Sequence, residues 1–449
     1  MNIAEEQIQE IVKRVISNLG TQTSGSGPAV QSSSASAKPQ VNPVSGKWGV
    51  FDTVEEAIEA ADQAFQQFRT FGPQDRKKIT DAVRQMCLAH KTELAKMVFE
   101  ETRMGRYEDK ILKHEVAALE TPGVESLETK AYSGKNGLAV EEFAPFGVIG
   151  AVTPSTHPSE TLINNTIMML SAGNTVVFNA HPSAKQVSAY ALQLCNQSMV
   201  KAGAPENLIT MIAEPTIEAA NEVFKHKKTK LLSITGGPGV VRAAMKTNKK
   251  VIAAGPGNPP VVIDETADLK LAAQRITKSA SFDNNILCTA EKEIYVVESA
   301  LPAFIRAMEN AGNKRISGSQ MDRLARTVFE KKKFLHIVSR DYVGRNASVL
   351  AKTLGIQIPD TVPLLFGETD QDHLFVQEEQ MMPCLPVIRV RDFEQGVNLA
   401  LEAEHAYGHT ASVFTKNMNR ATDYARRANC SIFVINGGTY QGNGTEEGE

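Results

Sequence analysis

Between residues 147 and 235 one unit recurs: the apolar runs "GVIGAV", "NTVVF", "LITMIA" and "KLLSIT" alternate with helical stretches near 159–172, 184–202 and 216–226. Strands that return in the same direction need a crossover, and helical crossovers cover both sheet faces. The alternation therefore predicts an α/β fold with a parallel sheet of dinucleotide-binding type. Two amphipathic helices, "TVEEAIEAADQAFQQF" and "DRKKITDAVRQMCLAHKTELAKMVFEET", lead into it, and the domain is placed at about 48–255. A second strand and helix series, from "PPVVID" through "SIFVING", predicts a separate α/β domain. A chain of 449 residues is long enough for two or three domains.

Several function classes recede on composition. The formal net charge of −3 gives no general attraction to phosphate polymers or anionic lipid, so no nucleic-acid partner is expected. Cys87, Cys195, Cys288, Cys384 and Cys430 show no CxxC and no framework spacing, and the histidines show no HExxH. Reduced thiols and no metal are expected. No stretch reaches the roughly 18 uninterrupted apolar residues of a membrane helix. Glu5, Glu6 and Glu10 stand where a secretory signal would be basic and then apolar, so the expected location is the cytoplasm.

The segment "AEEQIQEIVKRVISNLG" places Ile8, Ile11, Val12, Val15, Ile16 and Leu19 on one helical stripe, and residues 1–20 are expected to form an amphipathic helix. Residues 21–47, rich in Ser, Gly and Pro, follow as a flexible linker. Such a tethered helix either folds back on its own domain or docks on another protein.

Four stretches carry possible chemistry. In "LLSITGGPGVVRAAM" a strand meets a helix through Gly236 and Gly237, where backbone N–H groups can accept phosphate oxygens; a turn without ligand is the equal alternative. "TPSTHPSE" follows a strand at its carboxyl end and offers the hydroxyls of Thr153, Ser155 and Thr156, either to a ligand or as a helix cap. "AAGPGNPPVV" allows close approach of another backbone or a planar ligand but holds no acid or base. Cys288 follows the polar turn "SFDNN", unlike Cys87 and Cys195, which fall on apolar helical faces as buried cysteines do.

As a set, "TPSTHP", "TGGPG", "AAGPGNPPVVID", "SFDNNILC" and "EEQMMPCLPV" resemble the aldehyde dehydrogenase superfamily, in its coenzyme A-acylating branch, over about residues 48–440. With the N-terminal helix, the similarity is to the propionaldehyde and acetaldehyde dehydrogenases of bacterial microcompartments. The resemblance implies a dinucleotide-binding domain from 48–122 and 146–255, an oligomerisation hairpin at 123–145 and a catalytic domain at 256–436. It also implies a C-terminal segment, 437–449, shorter than the family's, and with it a truncated oligomerisation element. The last residues, "TYQGNGTEEGE" (439–449), carry no apolar content to form an element of their own.

The resemblance makes Cys288 the nucleophile that forms a thioester, and gives Thr156, matched to an Asn elsewhere in the superfamily, the role of oxyanion donor. An ordinary cysteine, ~3% thiolate at pH 7, already suffices for attack. NAD would lie against Thr153, Pro154, Ser155, His181, Ile234, Thr235, Gly236, Gly237, Val240, Ala254 and Gly255, with Glu379 on the nicotinamide ribose. The stretch from Asn179 to Pro182 departs from the superfamily's pattern, which leaves NAD or NADP open. Ala253 stands where hydrolytic relatives carry a water-activating Glu, so the acyl group is expected to pass to coenzyme A. Glu291 and Lys292 read as surface ends of a strand, with local tuning of Cys288 as the alternative. A short-chain aldehyde as substrate, a homo-oligomer, and a shell protein bound by residues 1–20 inside a microcompartment complete the implication. A hydrolytic enzyme using a base such as Glu291, and an inactive cargo or scaffold protein, are the alternatives.

Overall fold

A computed structural model describes residues 47–332 and 335–445; the expected N-terminal helix and nearly all of the linker lie outside them. The first helix, α1 (Val54–Phe68), opens with a capping box in which Thr53 and Glu56 satisfy each other's backbone N–H groups, and buries Ala57, Ile58, Ala61 and Phe68 on one side. The long helix α2 (Pro73–Thr102) follows, and its Cys87 is buried as the apolar pattern requires.

Six parallel strands form the first sheet: β1 (Val50–Phe51), then, after a hairpin β2 (Lys130–Gly134) and β3 (Gly137–Glu141), β4 (Val148–Val152), β5 (Thr175–Asn179), β6 (Ile209–Ile212), β7 (Thr229–Thr235) and β8 (Lys250–Ala254). Their spatial order is β1-β6-β5-β4-β7-β8. The chain moves outward from β4 through β5 to β6, then crosses back to lay β7 on the other side of β4. Loops leaving the carboxyl ends of β4 and β7 therefore diverge, which opens the crevice in which doubly wound sheets hold their ligands. Every residue of β4 and β5 is buried, as expected of strands covered on both faces.

The second sheet has seven parallel strands in the order β11-β14-β15-β10-β9-β16-β17. They are β9 (Pro260–Ile263), β10 (Glu293–Val297), β11 (Lys314–Arg315), β14 (Leu365–Thr369), β15 (Cys384–Val390), β16 (Thr410–Phe414) and β17 (Ile432–Ile435), with a small antiparallel pair β12 (Phe329–Lys332) and β13 (Leu335–Val338) set apart. Both expected α/β units are thus present.

Three features depart from, or add to, the sequence expectations. The last segment does form an element: Thr439–Asn443 is a 3-10 turn whose Thr439 and Tyr440 are buried, Tyr440 against the Phe282 ring at 5.8 Å. Composition alone missed it because one aromatic ring and two backbone hydrogen bonds, from Thr439 N–H to Glu291 Oε1 and from Tyr440 N–H to Ser279 Oγ, hold it down. A helix α3 (Tyr107–Leu119), to which no apolar stripe points, buries Lys110, Lys113 and His114 beside Ala117 and Ala118. The hairpin β2–β3 is exposed along its whole length and presents Tyr132, Leu138 and Val140 to solvent.

Candidate active site

At the carboxyl ends of the first sheet the expected cofactor residues come together. Thr153, at the end of β4, is buried, and its Oγ1 has no hydrogen-bond partner; the same holds for Oδ1 of Asn179, at the end of β5. Thr153 N–H donates to the Asn179 carbonyl, so the two orphaned oxygens sit on neighbouring strand ends. Pro154, Ser155 and Thr156 follow, half-buried. On the other side of the crevice, Ile234 and Thr235 end β7 in register with Ala253 and Ala254 of β8, and Gly236 N–H donates to the Ala254 carbonyl. Gly237 caps the next helix, α4 (Pro158–Ser171) being the one after β4 and α5 (Lys185–Lys201) and α6 (Ile217–Lys225) those after β5 and β6. That helix, α7 (Pro238–Met245), has no side-chain cap on its N-terminal N–H groups.

A methyl added at Gly237 or Gly255 would meet nothing within 4 Å, whereas one at Gly236 would lie 2.9 Å from Val240 Cγ1. Open space beside a helix start, with unpartnered buried oxygens across the crevice, fits a dinucleotide whose phosphates accept backbone N–H groups. His181 lies one strand away, after β5. Its ring nitrogen accepts Ser183 N–H, and burial together with the charge of Arg340 holds its pKa down to about 4. It therefore stands neutral beside this edge.

Cys288 comes from the second domain, on the loop entering β10. Asp283, Asn284 and Asn285 immediately before it are all left-handed, with φ of 48°, 55° and 64°. Apart from glycine, short polar side chains tolerate such a run best. Asp283 Oδ1 accepts Arg106 N–H at 2.7 Å; Asn284 Nδ2 donates to the Gly344 carbonyl and to Asn346 Oδ1; Asn285 Nδ2 donates to the carbonyls of Ala280 and Glu291. The turn is tied on every side, and Gly105 makes room for it: a methyl there would sit 1.8 Å from Asp283 Oδ1.

Glu291 and Lys292 are fully buried, which overturns their reading as surface ends of a strand. Lys292 Nζ donates to the carbonyls of Asn285 and Leu287 and to Asn285 Oδ1, bracing the Cys288 loop from behind. Glu291 is spent anchoring the C-terminal turn through Thr439. Two adjacent charges at a strand start usually face water; here the backbone they bind is buried with them.

Around the sulfur, Gly257 leaves no space for a side chain: an added methyl would lie 2.5 Å from the Cys288 carbonyl oxygen and 3.1 Å from Cγ of His409. Gly257 N–H donates to Glu379, whose pKa burial pushes up to about 7 against the opposing pull of Lys292 and that N–H. Burial, and then the Glu379 charge, push the Cys288 thiol up to about 11, while Lys292, its own N–H and Lys113 act the other way. Burial and the Glu379 charge thus work against the expected few per cent of thiolate in the protein without ligand. Replacing the carboxylate by a neutral amide removes a charge that disfavours the thiolate. Glu379→Gln is thus expected to move the pH midpoint of Cys288 alkylation by iodoacetamide downward, which peptide mapping of the alkylated protein checks.

Thr156 approaches the same region from the first domain. Its Oγ1 is 2.9 Å from Nδ1 of His157. Burial and the charge of Lys113 hold the His157 pKa down to about 3, so the ring is neutral, and its tautomer decides the direction of the bond. With the proton on Nδ1, His157 donates to Thr156, and the Thr156 O–H is left to donate elsewhere.

The aldehyde dehydrogenase family description matches residues 47–447. The chain belongs to the aldehyde dehydrogenase family. It is 45% identical over 392 residues to the acetylating acetaldehyde dehydrogenase EutE of Salmonella typhimurium, covering 87% of this chain and 84% of that protein. Among solved structures, a propionaldehyde dehydrogenase of Rhodopseudomonas palustris with bound coenzyme A and an acylated cysteine superposes with a TM-score of 0.85 at 41% identity, covering 88% of this chain and 90% of that one. A propionaldehyde dehydrogenase from the fucose utilisation bacterial microcompartment of Clostridium phytofermentans gives 0.85 at 40% identity, with the same coverage.

This aldehyde dehydrogenase site also contains residues to which the sequence assigns no catalytic or binding role. His157 bonds the neighbouring Thr156, Gly257 lies against the Cys288 carbonyl and His409, and Lys292 bonds the backbone of Asn285 and Leu287. The one signal that could have pointed to the first two is position: His157 lies within "TPSTHP" and Gly257 within "AAGPGNPP".

Proposed function

We propose that this chain oxidises a short-chain aldehyde, of the acetaldehyde or propionaldehyde size, to its coenzyme A thioester. The reaction is aldehyde + coenzyme A + NAD⁺ to acyl-coenzyme A + NADH + H⁺. The observation that carries the reading is the placement of Cys288. Its carbonyl packs on Gly257, its sulfur lies in the field of Glu379, and its loop is joined to the Thr156 loop through Lys113, while β8 offers only Ala253 where a water-activating base would be needed.

Thr153, Asn179 and the N–H groups after Gly236 would hold the dinucleotide, with Glu379 on its nicotinamide ribose. Bound there, the nicotinamide supplies the acceptor for the two electrons that leave the aldehyde carbon as hydride. Cys288 sulfur adds to the carbonyl carbon, and the oxygen that gains charge accepts from the Cys288 N–H and the Thr156 hydroxyl. Collapse of that adduct leaves a thioester on Cys288. A methyl at position 253 takes no proton from water, so the acyl group waits for the thiol of coenzyme A, whose sulfur replaces that of Cys288. The order is ping-pong, with reduced cofactor formed before the thiol acts.

Product analysis tests this directly. Propionaldehyde and NAD⁺ should give one burst of NADH per site without coenzyme A and continuous propionyl-coenzyme A with it. Continuous NADH with propionate as product, indifferent to coenzyme A, would falsify the reading.

Two finer assignments go with it. The hairpin β2–β3, exposed on both faces and carrying three apolar side chains, supports self-association, since an isolated two-stranded ribbon is marginal in water. Sedimentation as a monomer would remove that assignment. The amphipathic pattern of residues 1–20, together with the microcompartment origin of the Clostridium phytofermentans relative, supports a location in a microcompartment through a shell protein. A reporter fused to those residues that stays outside the shell would count against it.

A further inference from the structure

Behind the candidate active site lies a buried ionic cluster that the reaction as written does not use. Asp283 and Lys110 are fully buried, and Lys113 and Glu160 nearly so. Lys113 Nζ donates to Asp283 Oδ2 at 2.7 Å and to the Thr156 carbonyl at 3.1 Å; Lys110 Nζ donates to the same Asp283 oxygen at 3.1 Å. Asp283 starts the left-handed turn before Cys288, and its own N–H donates to Asp109 Oδ2 at 2.8 Å. Two ammonium groups face the carboxylates of Asp283 and Glu160, with Asp109 and Arg106 beside them, so the cluster sets cations against anions within the protein. Stability alone is a weak reason for it, because buried ion pairs seldom outperform well-packed apolar side chains of the same volume.

The two lysines differ in one respect. Both hold Asp283, but only Lys113 also reaches the loop that carries Thr156. We infer that Lys113 is a positioning residue for acyl transfer: it ties the Thr156 loop of one domain to the Cys288 loop of the other and so fixes the distance between nucleophile and hydroxyl donor. This rests on the reading of Cys288 and Thr156 given above. A displacement on the order of 1 Å between such groups is enough to cost ~10²-fold in rate.

The charged and titratable groups around the pair are few. Cys288 faces Glu379, Lys292 and Lys113; Lys113 faces Asp283, Glu160 and Asp109, with Lys110, His114 and His157 beside the same cluster. Removing the Lys113 cation withdraws a group that favours the thiolate, so the alkylation midpoint of Cys288 moves upward in pH.

The test compares Lys113→Met with Lys110→Met in the full chain, reading kcat and KM with propionaldehyde, NAD⁺ and coenzyme A, and the pH profile of Cys288 alkylation without substrates. Lys113→Met should lose about 30-fold or more in kcat with each KM within twofold, and raise the alkylation midpoint. Lys110→Met should keep kcat within about threefold, and Lys113→Arg, which keeps the charge and the donors, should recover most of the loss. If Lys113→Met does not fold, Lys113→Gln takes its place with the same two expectations. Equal losses in the two methionine variants, or an unchanged kcat and alkylation profile in a folded Lys113 variant, overturn the inference. A wild-type protein that makes free acid would instead sink the proposed function and leave the alkylation comparison standing.

Discussion

Cys288→Ala should reduce NADH formation from propionaldehyde by on the order of 10⁴-fold or more, because no other described nucleophile takes the same place in the site. Cys87, Cys195 and Cys384 are buried, with thiols held above the ordinary range by desolvation, and Cys430 sits at the entrance of β17, where its sulfur donates to the Ile432 carbonyl. The substitution removes one sulfur from a loop whose shape is set by Asp283, Asn284, Asn285 and Lys292, so the fold should be retained. Mass spectrometry of the intact protein after propionaldehyde and NAD⁺ should show a propionyl adduct on the wild type and none on the variant. A variant that still accumulates the adduct, or still turns over at a tenth of the wild-type rate, would place the chemistry on another residue.

Ala253→Glu should redirect the acyl group to water. Position 253 lies on β8 in register with Ile234, one residue before the strand ends at Ala254 beside the cofactor crevice, and it is exposed, so a longer side chain is accommodated without repacking. A carboxylate there supplies the proton acceptor that methyl lacks, and a positioned general base contributes ~10²–10⁴-fold. Release of propionate in the absence of coenzyme A should rise by about 10²-fold, with the burst of NADH becoming a steady rate. Coenzyme A should then compete with water, and the yield of thioester should fall as its concentration is lowered. A variant whose acyl-enzyme decays no faster than the wild type would show that the missing base is not what preserves the thioester.

Much of the architecture was legible before any coordinates. Apolar runs such as "GVIGAV" and "NTVVF" map onto β4 and β5 within a residue or two, because a strand buried on both faces has no polar position to blur its ends. Helix α1 was equally plain from its apolar stripe. Helix α3 was not, since the face it buries is made of Lys110, Lys113 and His114, and apolar periodicity is blind to a polar interior. The same blindness put Glu291 and Lys292 on the surface and hid the Thr439–Asn443 turn, whose anchorage depends on a carboxylate nearly 150 positions earlier in the chain. Cys288, Thr156 and Glu379 were picked out through resemblance; their spacing in sequence carries no hint that Lys113 would join the Cys288 and Thr156 loops.

The three consecutive left-handed residues ahead of Cys288 divide the surroundings of the thiol into parts that can and cannot be redesigned. Each costs about 1–3 kcal/mol for most other side chains, β-branched ones above all, and each also supplies a bond the loop needs. An engineer seeking a different aldehyde should therefore leave residues 283–285 untouched.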